Sequence, residues 1–235
     1  MDTRVLKYNK ISLKNFVLKD IVNIGKTNSM SIEYEDEIGK GPLMIQLPEE
    51  MRIPFDYNCY EKEITDKNGK TYNFKTYNLN INFNLDNEKH QICFKILKKL
   101  DEFFLNAIKN NSLKLFKKQP NFDNINNFSP LLSRSKDKNT MKYDDLYVGI
   151  RTKLPHKKNK IITKVYNQER KEINHEEFLR KGAIGGPIIK LDNIWASGTK
   201  YGVSCDLQLF KLQNEKVIEK PKKEFMFLSD SDSDD

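Results

Sequence analysis

Between residues 71 and 117 the hydrophobic period of the chain changes once. In "TYNFKTYNLNINFNL", Leu79, Ile81, Phe83 and Leu85 recur at every second position with asparagines between them, the pattern of a strand buried on one face only. From residue 88 to 117 the period becomes helical: Ile92, Ile96, Leu97, Leu100, Phe103, Phe104 and Ile108 fall on one stripe. Asp86 or Asn87 can cap its first turn, and Asn110 and Asn111 mark its break. A half-buried strand running into one amphipathic helix limits the chain to sheets with a helix packed on them.

The flanking segments add strands. Residues 4–24 mix apolar and basic positions and read as one or two edge strands. "SMSIEYEDEIGKGPLMIQLP", from Ser29, reads as two strands about a turn at Gly39 to Gly41, and Asn68-Gly69 in "KNGK" as a second hairpin turn. Residues 118–142 hold two prolines, many asparagines and no period, and read as a long loop. After them come "LYVGIRTKLP" and "KIITKVYNQ" joined by "HKKN", a short helical "HEEFLRKG", and two strands in "GGPIIKLDNIWASGTKYGVSCDLQLFKLQ", residues 185–213. No internal repeat is visible. Strands, one helix, then four more strands is the order of an OB-fold, a Greek-key β-barrel, here with one long amphipathic helix, extra strands and long loop insertions.

Charge narrows the function. The chain carries 41 Lys and Arg against 33 Asp and Glu, a net +8. Its last ten residues, "MFLSDSDSDD", hold four aspartates and no base, so residues 1–225 carry +12. A basic body with an acidic end points to a polyanionic partner, solubility being the plainer alternative. Cys59, Cys93 and Cys205 lie far apart, and no two of the histidines His90, His156 and His175 have ligand spacing, so neither a metal site nor a disulfide framework is expected. The adjacent acids Asp144-Asp145 and Glu176-Glu177 point apart on either a strand or a helix. "GAIGGP" lacks the G-K-[ST] of a phosphate loop and reads as a turn. The sequence argues for no catalytic activity and no cofactor. With no N-terminal h-region and no apolar run near the roughly 18 residues of a membrane span, a soluble intracellular protein is expected.

Rings and cations interleave in the second half. Tyr147, Gly149, Arg151 and Lys153 share one face of a strand; Val148, Ile150, Thr152 and Leu154 share the other, which is the core side. The following turn adds His156, Lys157, Lys158 and Lys160, and the next strand sets Ile162, Lys164 and Tyr166 on one face. Such interleaving suits single-stranded nucleic acid, whose bases stack on rings while phosphates pass along cations; ordinary solvated hairpin ends are the alternative. Trp195, the one tryptophan, stands near a hairpin mouth beside Lys200 and Tyr201, where it serves either as a base platform or as a plug in the barrel end.

The last of these segments is similar to the C-terminal hairpin of single-stranded-DNA-binding proteins from podoviral phages and nucleo-cytoplasmic large DNA viruses. Gly185, Gly186, Trp195, Gly202, Ser204, Leu207, Gln208 and Leu209 carry the likeness. It implies an OB-fold body over residues 1–222 and a disordered acidic tail over 223–235. It also implies sequence-independent binding of single-stranded DNA in viral replication, repair or recombination. Tyr147, Arg151, Lys153, Lys157, Lys158, Lys160, Lys164, Tyr166, Trp195, Lys200 and Tyr201 would contact DNA. In such proteins the tail competes with DNA and docks viral replication proteins such as a polymerase, helicase or primase; here Phe225, Phe227, Asp230, Asp232, Asp234 and Asp235 would do so. A homo-oligomer is compatible with this reading. A non-enzymatic virion protein that condenses a genome or binds RNA is the alternative.

Overall fold

The computed structural model describes residues 4–65, 69, 71–136 and 143–213. The N-terminal part is strand-rich, as its alternation suggests. β1 (Arg4–Lys7), β2 (Phe16–Leu18) and β3 (Val22–Ile24) precede the long β4 (Thr27–Asp36), which pairs antiparallel with β2, β3 and β5 (Gly39–Gly41). The Gly39–Gly41 segment is thus itself a strand, the turn falling on Glu37 and Ile38. β6 (Leu43–Gln46) runs parallel to β1, and β7 (Met51–Arg52) leads into the hairpin of β8 (Asn58–Thr65) and β9 (Thr71–Asn82). Of the expected Asn68-Gly69 turn, Gly69 has a φ of 77°; Asn68 lies outside the described residues.

The helical stripe forms α1 (Glu88–Asn110), followed by a single turn, α2 (Ser112–Leu115). Asn87 caps α1 by accepting from the Lys89 N–H at 2.9 Å, a contact contributing about 1 kcal/mol. The buried face is Cys93, Leu97, Leu100, Phe104 and Ile108 with two polar members, His90 and Asp101, while Ile92 stays 40% exposed. Both polar groups are tethers. His90 accepts from the Asn84 N–H through Nδ1 at 2.9 Å, and its Nε2 lies 2.7 Å from the Glu49 carbonyl, so Nε2 carries the proton. Asp101 takes the N–H groups of Leu131 and Leu132 at 2.6 and 3.1 Å.

Asp101 therefore anchors a segment expected to be irregular. Residues 118–142 are not one loop: they hold β10 (Phe128–Ser129) and β11 (Leu132–Lys136), with Leu131 and Leu132 in the core; 137–142 lie outside the described residues. Their pairing partners are remote in sequence. They are β12 (Tyr143–Leu154), antiparallel to β11, and the last strand, parallel to β10, so no local pattern announces them.

After β12, the ribbon of β13 (His156–Lys157) and β14 (Lys160–Ile161) turns on Lys158 and Asn159, both at positive φ as a type I′ turn requires. β15 (Lys164–Tyr166), β16 (Glu172–Ile173) and the short α3 (His175–Phe178) come next. β17 (Ile184–Ser197) and β18 (Lys200–Leu212) form the C-terminal hairpin, closed by Gly198 at φ 59°. Gly185 and Gly186 belong to β17, not to a turn. A Cβ at Gly185 would stand 2.2 Å from the Lys211 carbonyl oxygen and 2.6 Å from the Phe210 ring, so glycine is there for close approach.

The main sheet runs β1-β6-β17-β7-β9-β12-β18-β15-β16, and β17 also pairs with β18, giving a barrel-like curl. It is not fully closed: β7 meets β9 only at Arg52↔Asn82, and β12 meets β18 only at Lys153↔Asp206. The described architecture is mainly β with one long helix. Ile45, Leu79, Ile81, Ile150, Ile189, Leu191, Ile194 and Leu207 fill the interior, each burial stabilising the fold by roughly 1.5–3 kcal/mol.

Candidate nucleic-acid interface

The position of Trp195 is set by two bulges. Ile188 pairs with Leu209 but Ile189 with Leu207, leaving Gln208 extra on β18; Leu191 pairs with Cys205 but Ile194 with Val203, setting Asp192 and Asn193 against Ser204. Each extra residue exchanges the two faces of its strand from that point on. Ile189 and Leu191 point inward, and after the bulge Ile194 and Ala196 do, so Trp195 turns outward and is half-buried. Unbroken alternation from Ile189 would have put the indole in the core. Its cross-strand neighbours are Gly202 and Ser29, neither with a side chain large enough to cover it.

β12 alternates as expected. Ile150, Thr152 and Leu154 are buried, Thr152 donating to the Leu79 carbonyl at 3.0 Å, while Arg151 and Lys153 face out. They stand opposite Asn80 and Asn78 of β9, and Asn78 stands opposite Asn58 of β8. On the same face of that hairpin, farther out, lie Tyr60 (62% exposed) and Phe74 (51% exposed). On the other side Lys153 Nζ donates to Ser204 Oγ at 3.0 Å, two residues along β18 from the Gly202 that faces Trp195. One face therefore carries, in sequence across the strands, two rings, three asparagines, two cations and the indole. Among the described residues no carboxylate pairs with Arg151. Acids also reach this face: Asp206 stands opposite Lys153 and Lys190, and Asp192 accepts from Lys190 Nζ at 2.9 Å. Burial and Asp192 push the Asp206 carboxyl up from the ordinary range, and Lys153 and Lys190 pull it back.

Other expected contacts lie elsewhere. Tyr201 is a correction: it is fully buried, stacked on Phe128 (centroids 5.6 Å, interplanar 28°) and edged by Phe116 and Phe122, because β10 lies alongside β18. No base can reach that ring. Lys164 is ion-paired with Glu172 at 3.3 Å, which also accepts from the Tyr166 hydroxyl at 3.4 Å, so both belong to a local β15–β16 contact. Lys200 donates to the Asn126 carbonyl at 2.7 Å. Lys157, Lys158 and Lys160 are exposed on the β13–β14 ribbon, which leans on the β8–β9 hairpin through His156 against Tyr77 (5.4 Å) and Phe74 (6.2 Å). For Tyr147 only the backbone is described, opposite Arg134 on β11. Phe225, Phe227, Asp230, Asp232, Asp234 and Asp235 lie outside the described residues.

The sequence reading missed Tyr60, Phe74 and the asparagines of β8 and β9. The alternation of β9 did mark Asn80 as outward, but an asparagine in a strand reads as solvation until a cation is found opposite it. Where this face meets the β10–β11 segment a pocket of about 460 Å³ opens, with Phe55, Asn58, Asn78, Asn80, Phe128 and Arg151 in its wall. Among the described residues no group of three His, Cys, Asp or Glu side chains could hold a metal ion, and no helix is long and apolar enough to cross a membrane.

No protein-family model matches the chain, and no curated protein matches it. Among solved structures, it is similar to the single-stranded DNA-binding protein from bacteriophage Enc34, at 14% identity and a TM-score of 0.36 over 88% of this chain and 95% of that one.

Proposed function

We propose that this chain binds single-stranded DNA on an OB-type barrel, the strand lying across the outward face of β8, β9, β12, β18 and β17. One observation carries the reading: Tyr60, Phe74 and Trp195 share that face with Arg151 and Lys153, while the alternate residues of β9, β12, β17 and β18 build the core. Exposed rings stack unpaired bases at about 1–3 kcal/mol each, and Lys and Arg neutralise the phosphates between them. A duplex would call for a helix or ribbon shaped to the major groove, and α1 spends its apolar face on the core. Lys157, Lys158 and Lys160 extend the cationic path at the end of β12. The protein acts without catalysis, inside cells, on strands exposed by viral replication, repair or recombination. Residues 223–235 compete with DNA for this face, at the high effective concentration of a tethered segment, and serve as a handle for replication proteins.

Trp195 is the reporter. Titrating the chain with oligo-dT should quench its fluorescence, with log affinity falling against log salt by about 0.7 for each phosphate neutralised. Duplex of equal length should bind more weakly. An unchanged indole signal together with a salt-independent affinity, or a preference for duplex, would overturn the reading.

A further inference from the structure

The pocket between the β8–β9 face and the β10–β11 segment has a chemistry that stacking and phosphate neutralisation do not use. We infer that it seats one base of the bound strand and reads that base's edge, giving the interface a base preference at a single position. This inference rests on the function proposed above.

The volume, about 460 Å³, falls within the roughly 300–1,000 Å³ of small-molecule sites and suits one nucleotide unit. Three carboxamides converge on it. Asn58 and Asn78 stand directly opposite each other, and Asn80 lies two residues along on the same face. Among the described residues none of the three amides has a hydrogen-bond partner. A carboxamide is uncharged and adds little attraction for phosphate, but it sets an N–H donor beside an acceptor oxygen, the complement of a base edge with the same two functions. Arg151, opposite Asn80, supplies the cation for the adjoining phosphate. Phe55, 66% exposed, and Phe128 supply ring surface. Ser133, also in the wall, has a buried hydroxyl with no partner among the described residues, a cost that a polar ligand atom would relieve. Three amides, two rings and two guanidiniums, Arg134 and Arg151, beside the Asp56 carboxylate fit a nucleotide better than a bare anion, which would have no use for the rings and would be repelled by that carboxylate.

The test has two arms on the full chain. In the first, the four deoxynucleoside monophosphates are titrated by calorimetry. In the second, oligo-dT strands carrying each base in turn at one interior position compete for binding. A paired edge contact discriminates by about 1–3 kcal/mol, so one base should be preferred about 5- to 150-fold. The double variant Asn78→Ala, Asn80→Ala should abolish that ranking. Arg151→Ala should weaken all four monophosphates alike and keep the ranking. Equal binding of all four by the wild-type chain, or a ranking that survives the double variant, overturns the inference. Oligonucleotide binding without base preference removes the pocket and leaves the interface. A selective mononucleotide site with no oligonucleotide binding does the reverse.

Discussion

Replacing Asp101 by asparagine should remove most of a stability loss that the wild-type chain suffers as pH rises. Asp101 lies on the buried face of α1, 7% exposed, with Leu131 and Leu132 donating to its two oxygens. Burial pushes its carboxyl up and Glu102 adds slightly; the two N–H groups and Arg134 pull it down, and the balance stands at about 7. The unfolded chain releases the same proton near about 3.9. Between these values the folded state holds a proton that the unfolded state has lost. Stability from this group is thus complete below about pH 4, falls by up to about 1.4 kcal/mol per pH unit as pH rises, and levels above about pH 7. From pH 5 to pH 8 the loss comes to about 2.5 kcal/mol. Asp101→Asn keeps an oxygen for the Leu131 N–H and cannot ionise, so its stability should change between those pH values by about that much less. Urea unfolding of both proteins at pH 5 and pH 8 gives the difference of differences. Equal pH dependence in the two, or a wild-type chain that gains on the variant at pH 8, would refute the reasoning. It would mean that the two backbone donors outweigh burial.

Gly202→Ala should destabilise the protein by about 2 kcal/mol or more, read from the urea midpoint, because its Cβ would sit 2.4 Å from the Ser129 carbonyl oxygen and force β10 away from β18. Tyr201→Phe should leave stability unchanged or raise it by about 1 kcal/mol, since the buried hydroxyl has no partner among the described residues; a thermal-melt loss of that size would reveal one. Asp206→Asn, which removes a negative charge between Lys153 and Lys190, should tighten oligo-dT binding by a few-fold at low salt, with the gain shrinking as salt rises; unchanged affinity at low salt would separate Asp206 from the DNA path.

Local period made α1 and its Asn87 cap legible, and it placed Arg151 and Lys153 outward opposite a buried Ile150 and Leu154. It failed where a residue's setting depends on a distant partner. Tyr201 looked like an exposed ring beside a turn until Phe116, at the end of the helical stretch, and Phe122 and Phe128, from a segment without any period, closed around it. Asn58, Asn78 and Asn80 carried no functional signal, since their meaning lies in facing each other and Arg151 across three strands.

The sequence by itself determined the mainly β character, the single long helix and which face of β12 is cationic, because each arises from side-chain alternation over neighbouring residues. Only the tertiary structure decided the side of the sheet that Trp195 occupies. An extra residue in β17 reverses the faces beyond it, and its presence shows only in the register against β18. Likewise β10 and β11 exist because β18, β12 and the Asp101 carboxylate, all remote along the chain, satisfy their backbone groups.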